Sequence, residues 1–453
     1  MSSSGAAPAV LTLGGHPLNT SDVSLYVHVP FCRSRCDYCA FHSDVATDAD
    51  RFDRYLAEVE EELRELPRML PGGVVTTVYL GGGTPSALGP RRLARLLASL
   101  DGAIPRKDLS DAAPAAREPQ GLEWTVEMNP EDLDGALLSM LRSSPVTRLS
   151  LGVQSLDPGI RRRIGRRGEV GATVKALRLL DRSWPHRSSV DLISGVPGQG
   201  RDTAREDVRV AVSHGIGNLS IYALSIEPGT ALARRLGPAW SDRSDAAARR
   251  AWDASIRAAV EAGYERYEVS NFARPGERCL HNLRFWEGKP YIGVGPSAVS
   301  TMRLDRAGEL PPAAAAGAGA WGAAVQTGAA GLQATGVHTV RWRRNPDGGG
   351  DGELLGVREL FLEYIMLRLR TSDGLSVPAL SRAFGIDPES LSLEFLRDLE
   401  ERGLLRLRRI RGEQGERVEG AAATERGFGL LDRVIAEVVE ALEGQVDTVS
   451  AKW

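Results

Sequence analysis

The chain has 453 residues, a length that can bury a full-sized core and predicts two domains. Its formal net charge of −3 gives no overall electrostatic attraction for nucleic acid. Three of its four cysteines fall within one short stretch, which excludes a secreted disulfide scaffold and favours a reducing compartment. No Lys or Arg precedes an apolar core in residues 1–22, and no run of about twenty strongly apolar residues occurs. We therefore expect a cytoplasmic protein with no signal peptide and no transmembrane segment.

Strand-like and helix-like patterns alternate from Ser24 to about Ser300. Apolar, β-branched runs predict strands at 24–29, 74–80, 123–127, 148–153, 189–193 and 218–222. Apolar residues at helical spacing predict helices at 50–66, 91–100, 133–141, 172–180, 203–212 and 245–262. Repeated strand–helix units predict an α/β fold with a parallel sheet that curves into an open or closed barrel. Ligand sites in such a fold lie at the C-terminal ends of the strands.

The predicted barrel spans 23–304, after an N-terminal tail at 1–22. Residues 305–352 are rich in Ala, Gly and Pro and predict a loosely ordered linker or insertion. Residues 353–453 predict a smaller, mainly helical domain, with helices at 354–369, 377–384, 391–402 and 429–442 and a basic strand at 404–410. This order is winged-helix-like. Such modules can bind DNA, but acidic residues lie among the basic ones, so we favour a packing or lid role.

Three cysteines, Cys32, Cys36 and Cys39, follow the first predicted strand with the spacing C-x3-C-x2-C. A loop of this length can wrap three thiolates around one face of a small cluster, and a [4Fe–4S] cluster normally takes four. Three local cysteines therefore leave one iron open to an outside ligand, which implies chemistry rather than electron storage. The alternatives are a zinc site completed by His28 or His42, and three unrelated buried thiols.

Four further motifs fall at the predicted C-terminal ends of strands. Their candidate ligand contacts are Gly82, Gly83 and Thr84 in the run Gly-Gly-Gly-Thr-Pro, then Glu127, then Gln154 with Arg166, and Asp191. The glycines let the backbone approach a ligand closely and expose its N–H groups. A carboxylate inside an apolar strand needs a hydroxyl or a cation as partner, and Arg166 could pair with a carboxylate as a fork. We expect the run from Arg161 to Arg163 to be a solvated helix face.

In their order along the chain, these motifs resemble the radical S-adenosylmethionine (SAM) superfamily. The run Tyr26-Val-His-Val-Pro-Phe-Cys32 resembles the branch that contains oxygen-independent coproporphyrinogen III dehydrogenases and the HemW-type heme chaperones. The resemblance implies a radical SAM (β/α)6 partial TIM barrel and a [4Fe–4S] cluster whose open iron is chelated by SAM. It implies that reduction of the cluster cleaves SAM to methionine and a 5′-deoxyadenosyl radical. The motif residues above would then contact SAM, and Tyr26 and Tyr38 are further candidate cofactor contacts.

The segment from Cys279 to Trp286 resembles the HNxxYW motif of the heme chaperones, with Phe285 in place of Tyr. Imidazole and thiolate are the usual axial ligands of heme iron, and aromatic rings can flank a flat macrocycle. His281, Asn282 and Trp286 are therefore candidate heme contacts. Cys279 is either a further heme contact or a buried thiol with no role.

Two departures separate the possible functions. Phe41 stands where the dehydrogenases carry a fourth cysteine, and they also have a longer segment before the cluster, so both features favour the chaperones. Gly168 occupies a position where the family often has His.

The leading hypothesis is a heme chaperone that serves an unidentified acceptor protein and takes electrons from a donor such as flavodoxin or ferredoxin. The alternatives are a coproporphyrinogen III dehydrogenase, a radical heme-degrading methyltransferase, and a heme-binding module without radical chemistry.

Overall fold

The computed structural model describes most of the chain. The described residues are 12–13, 16–19, 22–46, 48–70, 73–105, 121–237, 246–308, 337–345, 350–384, 394–412 and 415–446.

Six parallel strands form the centre of the molecule, and each was predicted from the sequence. They are β1 (Asp22–Val29), β2 (Val74–Gly82), β3 (Glu123–Met128), β4 (Arg148–Gln154), β5 (Arg187–Ser194) and β6 (Asn218–Ala223). They pair in chain order, with Val27 opposite Leu80 and Leu151 opposite Val190. All six carboxyl ends therefore meet at one edge of the sheet.

The sheet continues beyond the six predicted strands on both sides. A further parallel strand, β7 (Tyr291–Val294), pairs with β1. On the other side Asn271–Ala273 pairs antiparallel with β6, and Glu265–Arg266 pairs with it in turn. These segments are only two to four residues long, so they carry too little periodicity to be recognised in the sequence.

Helices cover the outer face of the barrel. They are α1 (Ala49–Met69), α2 (Gly89–Ala103), α3 (Gly135–Arg142), α4 (Val170–Ser183), α5 (Arg201–Ser213) and α6 (Ala246–Glu261). Their starts follow capping chemistry: Asp48 accepts a hydrogen bond from the amide of Asp50, and the Asp134 side chain accepts from the amide of Leu137. Shorter helices lie between them at Pro158–Arg163 and Ala231–Leu236, with 3₁₀ turns at Pro85–Leu88 and Pro130–Asp132.

The two faces of the barrel strands differ in character. Residues such as Val27, Leu80 and Val126 are fully buried in the apolar core, which also takes in the covering helices. The alternate positions carry polar side chains that are equally buried: Ser24, Thr77, Thr125, Ser150, Ser189 and Ser220. Because successive strand residues point to opposite faces, this second set lines the inside of the barrel. The barrel interior is therefore polar.

Part of the range 305–352, which the sequence assigned to a linker, is strand. β8 (Val299–Gly308), β9 (Val337–Arg344) and β10 (Gly350–Leu355) form an antiparallel extension of the sheet next to β7. The rest of that range, 309–336 and 346–349, lies outside the described residues. Since Leu354 and Leu355 pair with β9, the next helix begins later than its apolar pattern predicted.

The C-terminal unit has the predicted helices and a small antiparallel sheet. The barrel ends with one more helix, α7 (Leu280–Trp286), which precedes β7. The C-terminal unit contains the helices α8 (Val357–Arg368), α9 (Val377–Phe384), α10 (Glu394–Glu401), Glu425–Phe428 and α11 (Leu431–Val446). Its two longer strands are β11 (Leu405–Gly412) and β12 (Gly415–Ala423). Leu375–Ser376 adds a third strand beside β12. The unit has its own apolar core around Phe361, Phe384 and Val434. Within the described residues, no helix has the length and apolar character needed to cross a membrane.

Candidate functional site

A cavity of about 520 Å³ opens at the carboxyl ends of the six strands. It is lined by all three loop cysteines and by most of the other predicted contacts. The predicted residues that line it are Cys32, Cys36, Tyr38, Cys39, Gly82, Gly83, Thr84, Glu127, Gln154, Arg166 and Asp191. These positions span 160 residues of sequence, so their convergence follows from the parallel strand order. Tyr26, Cys279, His281, Asn282 and Trp286 lie outside this cavity.

The cysteine loop is anchored at several points before it reaches the cavity. Its start, Phe31–Cys32, pairs with Asp44–Val45, and the amide of Asp37 donates to the carbonyl of Ile164. The ring of Tyr38 packs on a small apolar cluster that includes Ile164. Tyr38 therefore both lines the cavity and fixes the loop that carries the thiols.

The Cys39 thiol lies near the other two cysteines of the loop. Burial raises the pKa of Cys39, and the neighbouring Cys36 and Cys32 raise it further. Two neighbours face these thiols: the hydroxyl of Thr84 lies 3.5 Å from Cys32 Sγ, and Arg166 Nη1 lies 3.9 Å from Cys36 Sγ. Among the described residues, no three His, Cys, Asp or Glu side chains converge as a single metal ion requires.

The glycine run packs against the cysteine loop. Gly83 and Thr84 donate their amide hydrogens to the carbonyls of Val29 and Phe31, at 2.8 and 2.7 Å. A Cβ at Gly83 would lie 2.7 to 2.8 Å from backbone atoms of these same two residues. This corrects the prediction that the run exposes its N–H groups to a ligand, because two of those groups hold the loop instead. The glycines bring β2 close enough to the loop for Gly82, Gly83 and Thr84 to line the cavity.

Two partly buried carboxyl groups, Glu127 on β3 and Asp191 on β5, face the cavity on either side of β4. Burial raises the pKa of Glu127 to about 7, and the charge of Asp191 acts in the same direction. The hydroxyl of Tyr79 donates to Glu127 Oε1 at 2.6 Å and opposes that rise. Burial likewise raises the pKa of Asp191 to about 6, against hydrogen bonds from Ser220 and Ser150. Both carboxyl groups are thus placed to take up a cation that relieves their desolvation.

Gln154 ends β4, the strand between those that carry Glu127 and Asp191, and Arg166 follows the short helix after it. Nη2 of Arg166 donates to Asn129 Oδ1 and to the Gly152 carbonyl, at 2.8 and 2.7 Å, while its buried Nε has no hydrogen-bond partner in the described part of the chain. Gln154 has a φ of 67°, in the left-handed region that non-glycine residues seldom adopt. Such strain is common at ligand sites, and here it accompanies a register shift in β4 that turns the amide towards the cavity.

The prediction of a solvated face from Arg161 to Arg163 agrees with the exposure of Arg162 and Arg163 and is wrong for Arg161. Arg161 is buried, and its guanidinium donates to carbonyls at both ends of the short helix, including those of Val153 and Gly168, and to Glu131 at 2.8 Å. Glu131 lies thirty positions away, so the run of arginines alone gives no sign of this partner. A Cβ at Gly168 would lie 2.0 Å from Glu131 Oε1, so the Arg161–Glu131 pair fills the space that a His at this position would need.

The segment from Cys279 to Trp286 closes the other end of the barrel. Arg148, at the start of β4, pairs with Glu123 at 3.2 Å and donates to the carbonyls of Glu277 and Arg278. Both side chains of the pair are almost completely buried. The pair thus fixes the chain leading into α7 beneath the amino ends of the strands.

His281 and Cys279 both meet this buried pair. The backbone amide of His281 donates to Glu123 Oε1 at 2.9 Å, and the Cys279 thiol lies 3.6 Å from the same oxygen. Burial raises the pKa of Cys279 to about 12, with the charge of Glu123 adding to it, so the sulfur is a protonated thiol at neutral pH. This placement favours the buried thiol over the heme contact for Cys279.

The imidazole of His281 is held in one orientation. Its Nδ1 is hydrogen-bonded to the Thr77 hydroxyl at 2.8 Å, and its ring lies against Tyr79 with centroids 4.9 Å apart. Within the described residues, Nε2 has no hydrogen-bond partner. Burial lowers the pKa of His281 to about 4, so the ring is neutral at physiological pH. A neutral imidazole fixed through one nitrogen, with the other open, is the arrangement in which His binds a metal.

Tyr79 connects the two ends of the barrel, and sequence reasoning missed it. Its ring contacts His281 and its hydroxyl contacts Glu127, so one side chain joins the amino-terminal end of the barrel to the cavity at the carboxyl end. Tyr26 stacks on the same ring at 6.3 Å and is hydrogen-bonded to His28. An aromatic residue in a strand is ordinary, and only the inward-facing position of Tyr79 distinguishes it.

The remaining predicted residues, Asn282 and Trp286, lie on α7, the helix that covers the amino-terminal end of the barrel. Trp286 packs edge-on against Phe285, with centroids 5.3 Å apart, and the Phe285 side chain is 47% exposed. Trp286 lines a narrow groove between α7 and the C-terminal unit. Asn282 is partly buried in the first turn of α7.

Comparison with known proteins gives a consistent result. Residues 26–211 match the Radical SAM superfamily, and residues 357–411 match the HemN C-terminal domain. The heme chaperone HemW of Mycobacterium tuberculosis is 37% identical over 306 residues, which cover 66% of this chain and 73% of that protein. The heme chaperone HemW of Escherichia coli is 32% identical over 276 residues, covering 61% and 69%.

Relatives extend to vertebrates and to solved structures. Radical S-adenosyl methionine domain-containing protein 1, mitochondrial, of Danio rerio is 32% identical over 283 residues, covering 62% of this chain and 61% of the relative. A solved structure of coproporphyrinogen III oxidase (HemN) from Escherichia coli, a radical SAM enzyme, superposes with a TM-score of 0.67 at 18% identity. It covers 94% of this chain and 91% of that one, so the two share the fold of both units.

The barrel with its three-cysteine loop and cavity defines a radical SAM protein, a class whose members hold a [4Fe–4S] cluster and SAM. Within that class, the chain belongs to the HemW family of coproporphyrinogen oxidase-like proteins.

Proposed function

We propose that this protein is a heme chaperone that holds a [4Fe–4S] cluster, SAM and heme, and passes the heme to an acceptor protein. The family relation supports the first two cofactors, and the names of the bacterial relatives suggest heme. The observation that carries the heme proposal is the neutral, singly fixed imidazole of His281.

Cys32, Cys36 and Cys39 would hold the cluster, and the fourth iron would remain for SAM. When bound, the cluster and SAM together supply one-electron chemistry. The chain itself binds and orients. Glu127 and Asp191 would offer carboxylates to the cationic groups of SAM, and the Arg166 guanidinium, which lines the same cavity, would face its carboxylate.

His281 would bind heme iron through Nε2. The Thr77 hydroxyl on Nδ1 fixes the ring orientation, and the lowered pKa keeps the imidazole neutral, so no proton competes with iron at neutral pH. Asn282, Phe285 and Trp286 follow His281 on α7 and would border the macrocycle. Cys279 contributes to the buried closure through its contact with Glu123 and would not bind the iron.

The remaining parts of the proposal concern partners and location. A chaperone needs an acceptor for its heme, and a reducible cluster needs an electron donor such as flavodoxin or ferredoxin. We propose that the protein works in the cytoplasm, where such donors and reduced thiols are present.

The experiment that tests this function is an anaerobic assay of the reconstituted protein with coproporphyrinogen III, SAM and a strong reductant. Mass spectrometry would follow protoporphyrinogen and 5′-deoxyadenosine, and heme binding would be followed by absorbance in the same preparation. We expect bound heme and no decarboxylated porphyrin. Stoichiometric loss of two carboxyl groups would make the protein a dehydrogenase, a result that the shared fold with HemN makes worth testing.

A further inference from the structure

Gln154 is held in a backbone conformation that few side chains adopt. Its φ of 67° lies in the left-handed region, and the Ser155 amide donates to the Val153 carbonyl across it at 2.9 Å. This is a three-residue turn with a positive φ at its centre, a form that is rare and strained. Strain of this kind persists only where the surrounding structure fixes it, so the contacts around the turn must supply that support.

One support is Arg161, on the short helix that follows β4. Its Nη1 donates to the Val153 carbonyl at 3.0 Å and to the Ser155 carbonyl at 3.2 Å, so one nitrogen holds the residues on both sides of Gln154. Its Nη2 donates to the carbonyl of Arg167 at 3.0 Å and thereby also holds the segment after the short helix. Because Arg161 is only 2% exposed, water does not compete for these bonds.

The second support is Asp207, on α5. Its Oδ2 accepts from the Ser155 hydroxyl at 2.8 Å and its Oδ1 accepts from the Leu156 amide at 2.7 Å, so both oxygens face the segment directly after Gln154. Burial raises the pKa of Asp207 to about 6, so the group is a carboxylate at neutral pH and accepts these bonds as an anion. The turn is therefore fixed from two separate elements.

The side chain of Gln154 lies along the cavity wall. A Cβ at Gly152 would lie 2.9 Å from Gln154 Nε2 and 3.9 Å from Arg166 Nη2, so the amide and the guanidinium meet beside the same glycine. All three residues line the cavity, and Arg166 also donates to the Gly152 carbonyl at 2.7 Å. The position of the Gln154 amide in this group depends on the turn that carries it.

We propose that Arg161 and Asp207 are positioning residues, which hold Gln154 in its strained turn so that its amide reaches SAM in the cavity. The proposal rests on the proposed binding of SAM. Neither Arg161 nor Asp207 lines the cavity, so both act through the backbone of residues 153–156. A turn that is fixed before the ligand arrives loses no freedom on binding, and this preorganisation raises affinity.

The test is a double-mutant cycle on SAM binding, measured by anaerobic calorimetric titration of the cluster-reconstituted, full-length protein without reductant. Asp207→Asn removes the charge that holds the turn, and we expect SAM affinity to fall about tenfold. Gln154→Gly removes the amide, while glycine keeps a positive φ without strain, and should weaken SAM binding by a similar factor. In the Gln154→Gly background, Asp207→Asn should change the affinity less than about twofold, because Asp207 acts through Gln154.

Arg161→Lys extends the cycle to the other support. Lysine keeps a positive charge beside Glu131 and lacks the planar fork that reaches several carbonyls at once. We expect SAM affinity to fall about tenfold in the parent background and less than about twofold in the Gln154→Gly background.

Two controls separate positioning from folding. Iron and sulfide analysis should show full cluster assembly in every variant. Asp202→Asn makes the same chemical change at an exposed position of α5 and should bind SAM as the parent does. If Asp207→Asn does not fold, Ser155→Ala takes its place in the cycle, because it removes the hydroxyl that Asp207 accepts and leaves the buried charge as it is.

The outcomes separate the positioning role from the SAM site itself. If the parent does not bind SAM, the proposed SAM site falls and the positioning role falls with it. If the parent binds SAM and the variants of both supports bind it equally well, the positioning role falls while the SAM site stands. If these variants weaken SAM binding by the same factor with and without the Gln154 amide, they act by another route and the proposed role is wrong.

Discussion

Glu127 and Asp191 keep two carboxyl groups inside the barrel at a cost in stability. The folded-state pKa of Glu127 is about 7, raised from 4.5 by burial first and by Asp191 second. The folded state therefore binds more protons than the unfolded chain between these values, and the free energy of unfolding decreases as pH rises through this window. Above pH 7 the full cost is present, unless a cation occupies the cavity.

Replacing Glu127 with Gln should separate stability from ligand binding. Gln keeps an acceptor for the Tyr79 hydroxyl and removes the buried charge, so the ligand-free variant should melt at a higher temperature than the parent at pH 8. Its affinity for SAM should fall roughly tenfold or more, because the charged partner is lost. Thermal shift measurements at pH 5 to 8, with and without SAM, check both results. Glu440→Gln, an exposed change on α11, is the control, and a lower melting temperature for the Glu127 variant at pH 8 would contradict the account.

At the scale of single residues, the sequence predicted groups that are chemically unusual for their position. A carboxylate in an apolar strand stands out, and Glu127 and Asp191 both line the cavity as expected. Tyr79 and Thr77 are ordinary strand residues, and their roles depend on which face they occupy and on His281, two hundred positions away. Arg161 was misassigned because its partner Glu131 comes from another loop.

The glycine run and the cysteine loop act as one element. Their hydrogen bonds join β2 to the loop, and the contact distance leaves no room for a side chain at Gly83. The glycine run lies at the cavity, as its position after a strand indicates. Its amides at Gly83 and Thr84 donate to the cysteine loop, whereas the sequence predicted that they would face a ligand. Which groups a glycine amide meets depends on the path of the loop, and the residues of the run do not encode it.

Gly83→Ala should displace the cysteine loop. The new Cβ would meet backbone atoms of Phe31 and Val29, which cannot rotate away, and we expect a loss of about 1–3 kcal/mol with incomplete cluster assembly. Iron and sulfide analysis after anaerobic reconstitution measures the second effect, and urea unfolding the first. Gly102→Ala on α2 is the control, because a Cβ there meets nothing within 4 Å. Full cluster occupancy in the Gly83 variant would show that the loop does not depend on this contact.

Most of the long periodic elements were predictable, and the short ones were not. All six barrel strands and the helices between them agree with the sequence patterns, because each has enough residues to show its period. The strands β7 to β10 complete the sheet through pairing with distant partners. β7 has only four residues and β10 contains two glycines, whereas β8 and β9 have ten and eight residues and were missed although they are long.

At the scale of the molecule, Arg266 connects the barrel to the C-terminal unit. Its guanidinium lies 4.7 Å from the ring centroids of both Phe272 and Phe428 and 5.5 Å from that of Trp252. Its side chain is 3% exposed, whereas its ion-pair partner Glu425 is 60% exposed. The aromatic contacts should therefore outweigh the ion pair.

Arg266→Ala should cost about 2 kcal/mol of unfolding free energy, through lost cation–π contacts and packing. Glu425→Ala should cost less than about 1 kcal/mol, because an exposed ion pair contributes little. Urea denaturation of the two variants gives the comparison. Equal losses would show that the ion pair, and not the stacked guanidinium, joins the two units.

The two proposed sites occupy opposite ends of one barrel. The cluster cavity lies at the carboxyl ends of the strands, and His281 lies beneath their amino ends, with Tyr79 between them. This separation is the central claim, because it distinguishes a protein that carries heme from one that oxidises a porphyrin at its cluster.

Heme titration of two variants tests that claim most directly. In the triple variant Cys32→Ala, Cys36→Ala and Cys39→Ala, the cluster should be lost while heme binds with the affinity of the parent. In His281→Ala the cluster should assemble normally while the affinity for heme falls at least tenfold. Circular dichroism would confirm that both variants fold. If the triple variant loses heme binding, or if His281→Ala binds heme as tightly as the parent, the heme does not lie at the base of the barrel.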